Sequence, residues 1–462
     1  MPHPTPSRTP SATVPVLWAG TVACLLVAAI VSAAPEAPPA VGPWPQWRGP
    51  RRDNVSDDAG LLKQWPKDGP PLAWKAKGVG AGYSSPSVAG GRVYTMGDAA
   101  DACYVIAVDE STGKELWRAK VGPTGGGGGF PGPRCTPTVD PADGKHLYAL
   151  GQHGDLVCLE TDAGKEVWRK HMVKDFEGLM VAIDLSGRSV PPWGYSEGPL
   201  VDGDRLVCTP GGPKGTLIAL NKKTGDVLWR TAKWTDPAVY SSPLAADIAG
   251  RRQYVQLTGT HLAGVDAETG QVLWTTTRFG GPAVVPTPIV HEDTVFATSG
   301  YGIGCHLYRV TTHDLPPTAD GGAGAAAGAK PAKEFRVEVV YANRSLKNHL
   351  GGVVRVGDYV YGSNDPGILT CLKWSTGDLM WKDRSVGKGS VTAADGMIYL
   401  RGQDGAGTVA LVEATSEAYR ERGRFDPPDR SGQSTWPPPV VAGGRMYLRD
   451  QDVLLCYDVR AK

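Results

Sequence analysis

The chain has 462 residues, of which glycine and proline supply 61 and 39, close to twice their combined usage of roughly 12% in ordinary proteins. That composition excludes a helical bundle, while 41% hydrophobic residues are enough for a packed core and exclude a disordered chain. With 48 basic against 47 acidic residues the formal net charge is +1, which leaves no bulk electrostatic argument for a nucleic-acid partner.

From Val14 to Ala34 there is no charged residue. Arg8 supplies a positive flank and Val31-Ser32-Ala33 a small-residue cleavage point, so residues 1–33 are predicted to be a secretory signal peptide or a membrane anchor. Lipidation of Cys24 is a third alternative, in a poor sequence context. Each takes the rest of the chain out of the cytoplasm, to the periplasm or cell envelope, with membrane association through residues 14–34. Residues 34–43 are a Pro/Ala-rich spacer. Beyond them lie Cys103, Cys135, Cys158, Cys208, Cys305, Cys371 and Cys456, no two adjacent and none in C-x-x-C. Zinc ribbons, thioredoxin chemistry and haem attachment are therefore unsupported, and these thiols are expected as small buried apolar side chains.

The main signal is a repeat. VDESTGKELWR ends at Arg118, LETDAGKEVWR at Arg169, LNKKTGDVLWR at Arg230, VDAETGQVLWT at Thr275 and LKWSTGDLMWK at Lys382. Each joins an apolar strand to a Trp-bearing strand through a turn closed by Gly, which accepts positive φ without steric cost. Strand alternation is expected to put Leu116 on one face and Glu115 with Trp117 on the other. Upstream of each hairpin another strand pair is predicted, as in SPSVAGGRVY from Ser85 to Tyr94. In unit five, Tyr341 takes the Trp position beyond a low-complexity Gly/Ala insert at 312–333, and in unit seven the outer strand falls near Phe425.

Trp117, Trp168, Trp229 and Trp274 recur 51, 61 and 45 residues apart, and a period of about 40–50 residues with four strands per unit predicts a β-propeller. The last unit lacks an outer strand, and Leu72-Ala73-Trp74 looks like an outer strand with none of its own before it. The fold is thus predicted as all-β, an eight-bladed propeller over 44–462 whose N-terminal strand completes the C-terminal blade. Trp74, Trp117, Trp168, Trp229, Trp274 and Trp381 are expected to pack between neighbouring blades.

The A-x-D-x-x-T-G-x-x-x-W pattern resembles the pyrroloquinoline quinone (PQQ)-like repeat, which builds quinone-dependent alcohol dehydrogenases and the outer-membrane assembly propeller BamB. WPQWRGP (Trp44–Pro50), NHLGG (Asn348–Gly352) and the ending YLRDQDVLLCYDV resemble a group of exported bacterial PQQ-like propeller proteins. The resemblance covers about residues 44–462 and implies the fold more strongly than a function. PQQ with calcium is the cofactor that the dehydrogenase resemblance implies. Against it, the chain has no vicinal Cys-Cys pair, no C-x-x-C-H, and no mappable set of calcium ligands.

Other motifs are weaker. Gly194-Tyr195-Ser196-Glu197-Gly198 matches a nucleophile elbow, but a propeller strand follows where the elbow needs a helix. Gly300–Gly304 lacks the helix that would hold a phosphate, and none of the nine histidines has metal-ligand spacing, so no metal is expected. Tyr83, Arg134, Tyr195, Glu197, Tyr240, His349, Lys388 and Trp436 lie just before innermost strands. There they are predicted to line one mouth of the central channel as a site for a small polar ligand or peptide, or else to satisfy one another at the rim. Gly125–Gly129 with Phe130, and the loop His171–Trp193, are placed to fold over the same face as a cover, or else to serve as inert connectors. The favoured function is an exported, non-catalytic, BamB-like binding or scaffold protein of the cell envelope, a monomer with an envelope protein or small polar ligand as partner. The alternative is a PQQ-dependent alcohol dehydrogenase-type oxidoreductase.

Overall fold

Each Thr-Gly or Ala-Gly turn folds as its sequence dictates, with Gly113, Gly164, Gly225, Gly270 and Gly377 at φ between 67° and 74°. The computed structural model describes residues 44–127, 129–314 and 333–461. The signal or anchor, the spacer and the centre of the Gly/Ala insert lie outside the described residues.

Eight antiparallel four-stranded blades follow one another. Their innermost strands are Ser87–Ala89, Thr138–Val139, Leu200–Asp202, Leu244–Ile248, Ile289–His291, Val354–Val356, Gly389–Ala394 and Val440–Ala442. The last blade takes its outer strand from Leu72–Lys77, which pairs with Val453–Asp458, Trp74 opposite Cys456. The ring is therefore closed by the N-terminal strand through a hydrogen-bonded ladder. In blade five, Gly304–Asp314 and Lys333–Asn343 form long paired arms on either side of the insert.

In every blade the outer ladder slips register at the residue before the Trp position. This bulge corrects simple alternation. Glu115 pairs with Val108 and Trp117 with Ala107, so Leu116 is the extra residue and stands exposed to solvent. The slip swings each indole onto the turn of the next blade. Trp74 lies on Gly113, Trp117 on Gly164, Trp168 on Gly225 and Trp229 on Gly270, and Tyr341 takes the same role on Gly377. The indole N–H then donates to a carbonyl of that turn: Trp74 to Glu110 (2.8 Å), Trp117 to Thr161 (3.0 Å), Trp168 to Lys222 (3.0 Å), Trp229 to Ala267 (3.2 Å) and Trp381 to Thr415 (2.8 Å). Trp274 differs, donating to Gln253 of its own blade at 2.7 Å.

Blade seven corrects a second expectation. The residue at its Trp register, opposite Leu411, is Gly423 rather than Phe425. Trp65, arriving from the N-terminal segment, fills the vacated space against Gly423, Phe425 and Tyr399. The cysteines have an equally local reason. Cys158, Cys371 and Cys456 pair on one side with a Tyr and on the other with a Trp, where only a small side chain fits between two rings. All seven described cysteines are buried and free.

The channel is filled from one side by Trp44–Asp58, a segment that visits every blade. Trp44 bridges Val88 of blade one, and Pro45 accepts from the Val139 amide of blade two. Arg52 donates to Gly198 and Pro199 before blade three and to Pro243 before blade four, at 2.9, 2.5 and 2.8 Å. Trp47 donates to Thr287 before blade five (3.0 Å), and Arg48 to Gly351 and Val353 before blade six (2.6 Å each). Asn54 reaches Val391 of blade seven (2.8 Å), Val55–Ser56 pairs in parallel with Ala393–Ala394, and Asp58 accepts from the Gly444 amide of blade eight (2.7 Å). Arg48 and Arg52 are fully buried, and desolvation lowers both guanidinium pKa values to about 10. Carbonyl oxygens converging from the ring keep them solvated in place of water.

Candidate functional site

The opposite mouth stays open over Trp47. Of the predicted mouth residues, Tyr83, Arg134, Tyr240, His349, Lys388 and Trp436 line a cavity of about 230 Å³ there. Their positions follow from the short coil that enters each innermost strand. In those coils hydroxyls tie one blade to the next: Ser84 donates to Cys135 (2.6 Å), Ser241 to Pro286 (3.0 Å) and Ser390 to Trp436 (2.7 Å). The hydrolase-like match at Gly194–Gly198 belongs to this same structural phase, and Ser196 donates to Gly194 at 2.9 Å.

Tyr195 and Glu197 sit elsewhere. The Tyr195 hydroxyl donates to the Pro210 carbonyl at 3.0 Å, and its ring borders a separate hollow. Glu197 is buried at 2% exposure and accepts from the Thr209 amide at 2.6 Å. Its other carboxyl oxygen has no partner among the described residues. Burial pushes its pKa up to about 7, against the Thr209 hydrogen bonds and the charge of Arg52.

One wall of the cavity is aromatic. Tyr83 and Trp436 stack at 4.1 Å, and Trp193 stacks on Tyr240 at 5.1 Å, with Phe130 edge-on to Tyr83 at 6.5 Å. Phe130 and Trp193 come from the two loops expected over this face. Arg134 joins them, donating to the carbonyls of Phe130 (2.7 Å) and Trp193 (3.2 Å) while its guanidinium lies 5.4 Å from the Tyr83 ring. Burial lowers the Arg134 pKa below its ordinary value.

The other wall is polar. The Lys388 ammonium lies 2.8 Å from Asp365 Oδ1 and 2.7 Å from His349 Nδ1, and Tyr301 packs on the His349 ring at 4.6 Å. The Asp365 carboxyl is pushed up by burial, but the Lys388 ammonium and the Tyr301 amide, which both donate to it, outweigh that and hold it below the usual carboxylate range. Asp365 carries no repeat or spacing signal, Tyr301 lies within the Gly300–Gly304 run, and their place beside this wall is visible only once the blades are assembled. Away from the cavity, Asp140, Asp143 and His146 put ligand atoms within 4.8 Å of one another. The Lys222 ammonium already pairs with Asp140 at 2.8 Å, which supplies the cation that buried carboxylate needs.

The family described as outer membrane protein assembly factor BamB, a PQQ-repeat family, matches residues 101–319 and 319–417. The chain belongs to that family. Among solved structures, BamB from Moraxella catarrhalis superposes with a TM-score of 0.52 at 15% identity, covering 79% of this chain and 94% of that one. The computationally designed Ika8 protein gives a TM-score of 0.54 at 12% identity, covering 84% and 99%. At such identities the likeness to these structures is one of fold. A 1-butanol dehydrogenase (quinone) from Thauera butanivorans is 30% identical over 139 residues, 28% of this chain. The match spans only 20% of that relative's length.

Membership in a PQQ-repeat family raises the question of a calcium–quinone centre. Calcium takes about six to eight oxygen ligands, with carboxylates prominent among them. Among the described residues, no Asp or Glu lines the cavity of this BamB-family propeller, and Asp365 behind its wall is committed to Lys388 and Tyr301. With no vicinal cysteines either, the residues present do not fit that group.

Proposed function

We propose that the protein is an exported, non-catalytic binding propeller of the bacterial cell envelope that holds a small ligand, or one side chain of a partner protein, in the axial cavity. The observation that carries this reading is the asymmetry of the channel. One mouth is stoppered by Trp44–Asp58, and the other opens into an aromatic cavity whose charged groups are already held by hydrogen bonds. Preorganised aromatic faces and fixed donors lower the ordering cost of binding. Arg134 and Lys388 are fixed in place by hydrogen bonds to carbonyls, His349 and Asp365, which suits holding a ligand more than transforming it. Export rests on the apolar run after Arg8, and an envelope role on the family's description as an outer membrane protein assembly factor.

The test is a binding screen of small aromatic, saccharide, anionic and cationic compounds against the protein and against Ser242→Trp, which fills the cavity. Compounds that bind the first and not the second are expected. If no compound of any class distinguishes them, the reading fails. The local likeness to a quinone-dependent dehydrogenase favours a second reading, a PQQ-dependent alcohol dehydrogenase. Purified protein with PQQ and calcium, assayed for alcohol-dependent dye reduction, decides between the two, and turnover there would overturn the non-catalytic one.

A further inference from the structure

Building on the binding reading above, we propose that the axial cavity takes a small aromatic monocarboxylate, a single ring bearing one acid group.

The ring follows from the wall and the volume. Tyr83, Trp436, Trp193 and Tyr240 offer flat faces held by their own stacking, with Trp193 and Trp436 inclined by only 29°. Such faces favour offset or edge-on aromatic contacts. At about 230 Å³ the cavity is smaller than most small-molecule sites, which run to roughly 300–1,000 Å³, and it accommodates a single substituted ring, since an apolar cavity of about 150 Å³ already takes benzene. A saccharide would have to rely on the hydroxyls of Ser196, Ser242 and Ser434 and the amide of Gln403, which also line the cavity, so a sugar acid is the competitor against which the aromatic acid is tested.

The acid group follows from counting protons. The Lys388 ammonium has three; one goes to Asp365 Oδ1 (2.8 Å) and one to His349 Nδ1 (2.7 Å). The third has no partner among the described residues and goes to the ligand. With Nδ1 accepting, the His349 proton resides on Nε2, which makes a second donor on the same wall. Asp365 cancels the charge of Lys388, so the polar wall is neutral as a unit and offers one pair of surplus donors. Arg134 faces it from the aromatic wall, and Arg48 and Arg52 lie around the floor residue Trp47. None of these three has an ion-pair partner among the described residues; carbonyl oxygens surround them instead. Guanidiniums without a contact ion-pair partner give the cavity a positive potential, reduced by Asp53 near Arg48, Glu197 near Arg52 and Asp98 near Arg134, and the single donor pair selects one carboxylate rather than a polyacid.

The test titrates 4-hydroxybenzoate, 4-hydroxybenzamide, cyclohexanecarboxylate and glucuronate into the full chain by calorimetry at two salt concentrations. 4-Hydroxybenzoate is expected to bind at least tenfold tighter than each of the others. Its affinity should fall at high salt while that of the amide stays level. Lys388→Gln should weaken the acid far more than the amide, so that the preference between the two is lost. Should that variant fail to fold, the salt comparison on the unaltered protein separates acid from amide in the same way. Equal binding of acid and amide, or preference for glucuronate, overturns the proposal. Neutral or cationic hits in the wider screen without the acid overturn the ligand class and leave the binding reading standing, whereas a screen with no hits removes both.

Discussion

The guanidinium of Arg48 occupies the space in which a β-carbon on Gly352 would lie: built there, that carbon falls 1.5 Å from Nη1. The same nitrogen donates to the Gly351 carbonyl at 2.6 Å. WPQWRGP and NHLGG, far apart in the sequence, are thus two halves of one joint, in which a buried cation enters from the N-terminal segment and a glycine leaves room for it. The joint matters for the cavity because His349, Leu350 and Gly351 of the same loop line its wall.

Gly352→Ala should therefore be severe. The residue has φ +86° as well as the clash, and strained non-Gly backbone with displacement of a buried charge costs about 3 kcal/mol or more. Gly203→Ala is the control, since Gly203 has φ +59° and nothing within 4 Å of a β-carbon, where the left-handed conformation alone costs about 1–2 kcal/mol. Urea denaturation of both variants measures the difference. Equal losses would show that Arg48 does not fix the loop.

Ring closure makes a graded prediction for the tryptophans. Trp74 is 7% exposed and belongs to the closing strand, so Trp74→Ala should cost about 3–5 kcal/mol, as for a buried aromatic. Trp229 is only half-buried, and Trp229→Ala should cost less by a margin that chemical denaturation resolves. A Trp74 variant as stable as the Trp229 variant would mean that the borrowed strand adds little to the ring.

Much of this architecture is legible in the chain because it is written repeatedly. The turn glycine and the tryptophan fix a hairpin, and strand counting at the two ends exposes the closure. What repeats do not encode stays hidden. The Trp44–Asp58 segment has no alternation and no copy elsewhere, so its path through the channel follows only from buried arginines meeting carbonyls of assembled blades. In blade seven the outer strand carries Gly423 at the Trp register, two residues before Phe425, and Trp65 from the N-terminal segment fills the space, an exchange that no repeat phase records. Tyr195 and Glu197 share the phase of the mouth residues, but position along the chain does not set side-chain direction, and both turn away from the cavity onto Pro210 and Thr209 of their own blade. Phe130 and Trp193 are predictable only as parts of covering loops, and they reach the cavity because Arg134 ties both loop carbonyls down.

The thiols should be silent in the folded state. Cys135 and Cys158 are fully buried, and desolvation pushes their pKa values up to about 12, so almost no thiolate exists near neutral pH. Native protein with residues 1–33 removed, treated with a thiol-specific dye at pH 8, should show no fast-reacting cysteine. All seven should react once denaturant is added. Fast reaction of any one under native conditions would mean that its blade opens locally.

Glu197 gives stability an unusual pH dependence. Its carboxyl is buried with one oxygen unpartnered, and burial raises its pKa from an ordinary 4.5 to about 7. The folded protein therefore holds a proton that the unfolded chain has released at any pH between these values. With more protons bound to the folded state, stability falls as pH rises. The contribution from this group is fully present below about pH 4.5 and is lost progressively up to about pH 7. At about 1.4 kcal/mol per pH unit the total is on the order of 3 kcal/mol. Glu197→Gln keeps the shape and the acceptor for the Thr209 amide but cannot ionise, so the difference in unfolding free energy between the variant and the parent should widen in favour of the variant as pH rises from 5 to 8. Parallel stability curves across that range would show that Glu197 is charged in the fold, with Arg52 as its counter-ion.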